Sequence, residues 1–177
     1  MKMVDARIKI TSVTRKVEPD LDNQGMLESD YGKFTNHWES GVLRTNLPVA
    51  PYFKSSTSDW VKLDGWERIT DEEKAKVIAE HGSLKKAVFH YAQQDLKRAI
   101  AWYKGTWEFI GIVYDATLAI EINGKTFIAH EYESLWGLES DDPDLDTPDA
   151  AILIELKASL RKIGFTDEEL NFSVVKL

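Results

Sequence analysis

The sequence predicts an α+β protein: an antiparallel β-sheet of about four to five strands with helices packed on one face. Two observations carry the prediction. Trp107 to Tyr132 reads as one long β-hairpin, and the segments 84–103 and 148–163 each carry an apolar stripe at helical period.

Taken in order, Ala6 to Lys16 is the first strand. Ile8 and Ile10 alternate with Arg7 and Lys9, and Thr11, Val13 and Thr14 keep β-propensity high. Residues 18–66 have no clear period. They hold turn formers (Pro19, Asp20, Asn23, Gly25, Gly32, Gly41) and many aromatics (Tyr31, Phe34, Trp38, Tyr52, Phe53, Trp60, Trp66). Disordered chains are poor in aromatics. The segment therefore reads as an irregular, ordered arm over the core of a single domain, 1–177, with room for a short strand pair. Trp38, Trp60 and Trp66 are the arm's candidates for exposure to a partner.

Thr70 with Glu73 forms a capping-box pattern, and Gly82 closes the helix that follows. Ser83 opens the next one. Leu84, Val88, Tyr91, Ala92, Leu96, Ala99, Ile100 and Tyr103 make its apolar stripe. In the hairpin, Ile110, Ile112, Tyr114, Ala116, Leu118, Ile120 and Ile122 share one face. Asn123-Gly124 is the favoured two-residue turn, because both central residues need φ > 0. It pairs Ile122 with Lys125, Ile120 with Phe127 and Leu118 with Ala129. Thr147 as N-cap and Pro148 at the first helical position start the last long helix, which Gly164 stops. Residues 171–176 read as a terminal strand.

Hydrophobic residues make up 43% of the 177, enough to bury a core without staples. The absence of cysteine excludes disulfides and thiolate metal sites and agrees with a reducing cytoplasm. The first ten residues lack the apolar run of a secretory signal, and no stretch has the length of a membrane span, so a cytoplasmic protein is expected.

The formal charge of −8 has a single origin. Between Glu131 and Asp149 stand eight acids and no Lys or Arg: Glu131, Glu133, Glu139, Asp141, Asp142, Asp144, Asp146 and Asp149. The other residues carry 22 acids and 22 bases. A neutral body with one acidic edge does not have the basic face of a nucleic-acid binder. Asp142, Asp144 and Asp146 resemble the start of an EF-hand loop, but Thr147 stands where that loop needs glycine and Leu153 where it needs a bidentate Glu. Acids before a helix also have a plain structural use, since each stabilises the helix dipole by about 0.3–1 kcal/mol. Spaced carboxylates can in addition imitate nucleic-acid phosphates and steer a basic protein groove.

No H-E-x-x-H, P-loop, G-x-S-x-G or G-x-G-x-x-G occurs. His130 alternates with Glu131 and Glu133 along a strand, which sends it to the opposite face. His37, His81 and His90 show no ligand spacing. None of these motifs or histidines supplies a catalytic residue, a metal site or a cofactor site, and a non-enzymatic protein is expected.

Gly105–Ile112 (GTWEFIGI), Leu135–Asp141 (LWGLESD), the acidic stretch after it and Gly164-Phe165 together form a pattern, with Pro19-Asp20-Leu21 as an earlier element. This pattern resembles a family of small phage and mobile-element proteins with a G-x-W-x-F-x-G-I strand and an L-W-G-[IL]-E-S-D motif. The resemblance covers roughly residues 87–166. It departs where the family often has Ser-Gly-Gly and this chain has Tyr132-Glu133-Ser134. The resemblance implies an accessory protein that binds host machinery, with anti-restriction and anti-CRISPR inhibitors as the best-known class. The expectation is a protein that inhibits a nucleic-acid-targeting defence complex in the host cytoplasm, without binding nucleic acid or membrane itself. Glu139, Asp141, Asp142, Asp144, Asp146 and Trp136 are its partner-binding candidates. The alternatives are a metal-dependent enzyme using the 139–146 carboxylates, and a structural or regulatory phage protein with no inhibitory role.

Overall fold

A computed structural model describes residues 6–56 and 69–177. Trp60 and Trp66 lie outside the described residues. The fold is α+β, and the chain divides into two compact units, Met1–Leu21 with Glu108–Leu177, and Asp22–Trp107.

The first unit is built on a four-stranded sheet. Strand β1 (Ala6–Pro19) is followed, after the second unit, by β5 (Phe109–Ile122), β6 (Lys125–Glu139), helix α4 (Asp146–Ile163) and β7 (Val174–Lys176). The strand order is β6-β5-β1-β7. The Asn123-Gly124 turn sets the expected register: Ile122 faces Lys125, Ile120 faces Phe127 and Leu118 faces Ala129. Asn123, at φ 50°, is the one described non-glycine residue with positive φ, as a type I′ turn requires. β1 pairs antiparallel with β5, with an irregularity between Ile10 and Ser12. β7 joins β1 in parallel, so the sheet is mixed, not wholly antiparallel.

The even face of β5 is the buried one. Ile112, Tyr114, Ala116 and Leu118 form a core with Val13 of β1 and with Ile152, Leu156 and Leu160 of α4. Phe165 and Leu170 close it after Gly164 ends the helix in the left-handed region. No described helix is long and apolar enough to cross a membrane.

The second unit gives residues 22–56 more regular structure than an irregular arm. Helix α1 (Asn23–Asp30) leads into strands β2 (Gly32–Thr35), β3 (Leu43–Arg44) and β4 (Tyr52–Ser55), which form an antiparallel sheet of order β2-β4-β3. Helices α2 (Asp71–His81) and α3 (Leu84–Tyr103) follow. Thr70 makes the expected capping box with Glu73, whose carboxyl is held below its ordinary range by the backbone and hydroxyl donors of Thr70. α3 packs on α2 and on this small sheet, burying Ala87, Val88, Ala92 and Ala99. Each long helix thus covers a sheet of its own. Trp107 ends the unit with its indole N–H on the Arg98 carbonyl, the Arg98 guanidinium 3.9 Å above its ring and Tyr31 edge-on.

Candidate functional site

The motif stretches of the first unit meet at the corner where β6 ends. β5 and β6 are in step at Ile112 and Leu135, and again at Ile110 and Leu138. Trp136 and Gly137 therefore oppose the single residue Gly111, which is a β-bulge. Gly137 takes φ +79°, a conformation open to glycine. Gly111 has to be glycine for a different reason: a Cβ there would overlap the Trp136 ring. The glycine of one motif is the seat for the tryptophan of the other.

Asp20, just past the end of β1, secures the corner. It is buried, 8% exposed, and its carboxylate accepts the Gly137 N–H at 3.1 Å. Its own N–H donates to the Phe109 carbonyl at 2.9 Å. Beyond the bulge, Ser140 closes the ladder: its N–H donates to the Glu108 carbonyl and its hydroxyl accepts the Glu108 N–H at 3.0 Å. The Trp136 indole N–H donates to the Ser134 hydroxyl, and the ring stays 41% exposed.

The corner delivers a compact acidic turn. The Asp142 N–H donates to the Glu139 carbonyl, and the Asp142 carboxylate accepts the Asp144 N–H at 2.8 Å. The Asp144 carboxylate accepts the Thr147 hydroxyl at 2.7 Å. Thr147 does not cap α4 as expected. The backbone is already helical at Leu145, the helix runs from Asp146, and the Thr147 hydroxyl serves the preceding turn.

The eight acids of the segment separate into two kinds. Asp149 is structural: it accepts the Arg15 Nε at 2.8 Å and the Tyr114 hydroxyl at 2.9 Å, with the Arg15 and Asp149 side chains only 15% and 14% exposed. Burial first, and then the hydrogen bond to Asp149, push the Tyr114 phenol up to about 12. Glu133 is also engaged, by the Ser159 hydroxyl at 2.7 Å. Glu131 and Glu139 are half-buried, whereas Asp141, Asp142, Asp144 and Asp146 are exposed. Of the six expected partner-binding residues, these four and Trp136 reach solvent, and Glu139 does so in part.

Among the described residues no three His, Asp or Glu side chains are grouped to hold a metal ion. The Asp142 and Asp144 carboxylates each accept a hydrogen bond within the turn instead. No pattern in the sequence marks a structural role for Asp20 or Gly111, which set this corner, or for Arg15, which ties α4 to β1 through Asp149. Asp20 stood inside the Pro19-Asp20-Leu21 element, but a single polar residue in a turn-rich stretch gives no sign of burial.

The second unit offers a groove of about 380 Å³ lined by Gln24, Leu27, Lys33, Phe34, Trp102 and Tyr103. The Trp102 indole donates to Asn23, and Phe34 meets Tyr103 edge-on.

No protein-family model matches this chain, and no solved structure matches it significantly.

Proposed function

We propose that this chain is a non-enzymatic protein-binding inhibitor of phage or mobile-element origin, acting on a host nucleic-acid-targeting defence complex of the anti-CRISPR or anti-restriction kind. The observation that carries the reading is the turn between β6 and α4. It presents Asp141, Asp142, Asp144 and Asp146 to solvent on a hydrogen-bonded frame, in a stretch of the chain without Lys or Arg. A pre-ordered carboxylate row loses little freedom on binding and steers encounter with a basic groove of the sort that holds nucleic acid. Trp136 and Leu135, both partly exposed at the preceding bulge, supply apolar anchors beside it. The motif resemblance supports the mobile-element origin.

The test is a variant carrying Asp→Asn at 141, 142, 144 and 146. Asparagine retains the acceptor oxygen that holds the turn and removes the charge. The variant is expected to fold normally, to lose inhibition of CRISPR interference or restriction in cells, and to associate more slowly with the target. Wild-type association should itself slow as salt rises. Full inhibition by the variant, or a host-lysate pull-down with the wild type that recovers no nucleic-acid-handling protein, would overturn the proposal.

A further inference from the structure

The four-stranded sheet ends at β6. Among the described residues β6 pairs with β5 and with no second strand. A two-residue turn makes Ile122–Lys125 a hydrogen-bonded pair, so the odd residues of β6 up to Leu135 direct their N–H and C=O groups at β5. The Asp20 N–H bond to the Phe109 carbonyl and the Ser140 N–H bond to the Glu108 carbonyl fix the same parity, because odd residues of β5 serve β1 and even ones serve β6. Thr126, Ile128, His130, Tyr132 and Ser134 therefore point their backbone groups outward. Ile128 and Tyr132 are 61% and 57% exposed.

Soluble proteins blunt such edges with proline, central lysines or bulges. Here residues 126–134 contain no Pro, Gly, Lys or Arg, their two charges, Glu131 and Glu133, lie on the opposite face from Ile128 and Tyr132, and the bulge comes only at Trp136–Gly137. The edge is also self-complementary. In an antiparallel two-fold pair centred on His130, Thr126 meets Ser134 of the second copy and Ile128 meets Tyr132. These are a hydroxyl pair and an aliphatic–aromatic pair, both favourable across strands. Each occurs twice, and all five outward residues are used. On the other face Lys125 lies diagonal to Glu133 of the second copy. A shift of the centre to Tyr132 would set Glu131 directly against Glu133 twice, and a shift to Ile128 would leave Ser134 unpaired.

We propose that the occupant of this edge is a second copy of the chain, and that the protein forms a symmetric dimer through β6 centred on His130, giving a continuous eight-stranded sheet. The proposal does not depend on the inhibitory reading, since it uses a different surface from the acidic turn.

The natural absence of cysteine gives a clean test. Cα atoms of a hydrogen-bonded antiparallel pair lie about 5.5 Å apart, within disulfide reach. His130→Cys is expected to form an inter-chain disulfide on mild oxidation of the full chain. Thr126→Cys and Ser134→Cys should not do so singly but should do so when mixed. Sedimentation of the wild type should show a monomer–dimer equilibrium. Ile128→Lys with Tyr132→Lys, both on exposed positions, should raise its midpoint about tenfold or more with an unchanged far-ultraviolet circular dichroism spectrum. A wild-type monomer at every concentration would overturn the proposal and leave the edge to a strand from another protein. A dimer that cross-links at position 128 and not at 130, or that is indifferent to the lysine pair, would equally overturn it.

Discussion

Asp149 sits in the first turn of α4, where a carboxylate faces the positive end of the helix dipole. It also ties the helix to the sheet, because Arg15 comes from β1 and Tyr114 from β5. Removing it leaves a largely buried guanidinium and a phenol without their acceptor. Asp149→Ala is expected to cost about 2–4 kcal/mol, read by urea denaturation, well above the cost of neutralising an exposed acid of the same segment. The phenol carries a second expectation. Its folded value, about 12, stands above the ordinary tyrosine value of 10, so folding favours the neutral form. That stability is fully present below about pH 10 and is lost as pH rises toward 12. Unfolding measured across this window should show the loss in the wild type, and Tyr114→Phe should remove that part of it.

At the scale of elements, the β5–β6 hairpin shows what a sequence can specify. Asn123-Gly124 fixes the register locally, and a strict period of two fixes the buried face, so both could be read in advance. The small sheet of the second unit could not. Its strands are two to four residues long, too short for any period to show. β7 joins in parallel through a partner more than 150 residues away in sequence, which no local pattern encodes. The acidic segment was visible as charge, but the engagement of Asp149 and Glu133 was not, because Arg15 and Ser159 come from distant elements. The bulge shows the same limit: Gly111 and Trp136 stand out separately in sequence, and their contact belongs to the fold. Gly111→Ala is expected to cost about 1–3 kcal/mol through overlap with the Trp136 ring. In a Trp136→Ala background the same change should cost much less, because the obstructing ring is gone. Equal costs in both backgrounds, measured as a double-mutant cycle, would show that the ring is not what forbids a side chain at 111.

At the scale of the whole chain, the second unit is an insertion between two strands that pair directly. The chain leaves the four-stranded sheet at Leu21 and returns at Glu108. Pro19 already faces Ile110, and the Asp20 N–H already bonds the Phe109 carbonyl. The two cut ends are therefore adjacent, and a turn of about four residues is enough to join them. The first unit has its own set of stabilising contacts: the β1–β5 and β5–β6 ladders, the α4 core and the Arg15–Asp149 link. Insertions are tolerated where they interrupt a loop without removing core contacts. Replacing residues 22–107 by a short Gly- and Asn-containing turn is expected to leave a protein that unfolds in one cooperative transition. It should keep the Tyr114 titration above pH 10 and the exposed carboxylates of the β6–α4 turn. Circular dichroism with urea unfolding checks the first point, and tyrosinate absorbance the second. If the inhibitory surface is the acidic turn, the shortened protein should still bind the target of the full chain. A shortened protein that folds but does not bind would move the binding surface to the aromatic groove of the second unit, where Trp102, Tyr103 and Phe34 stand.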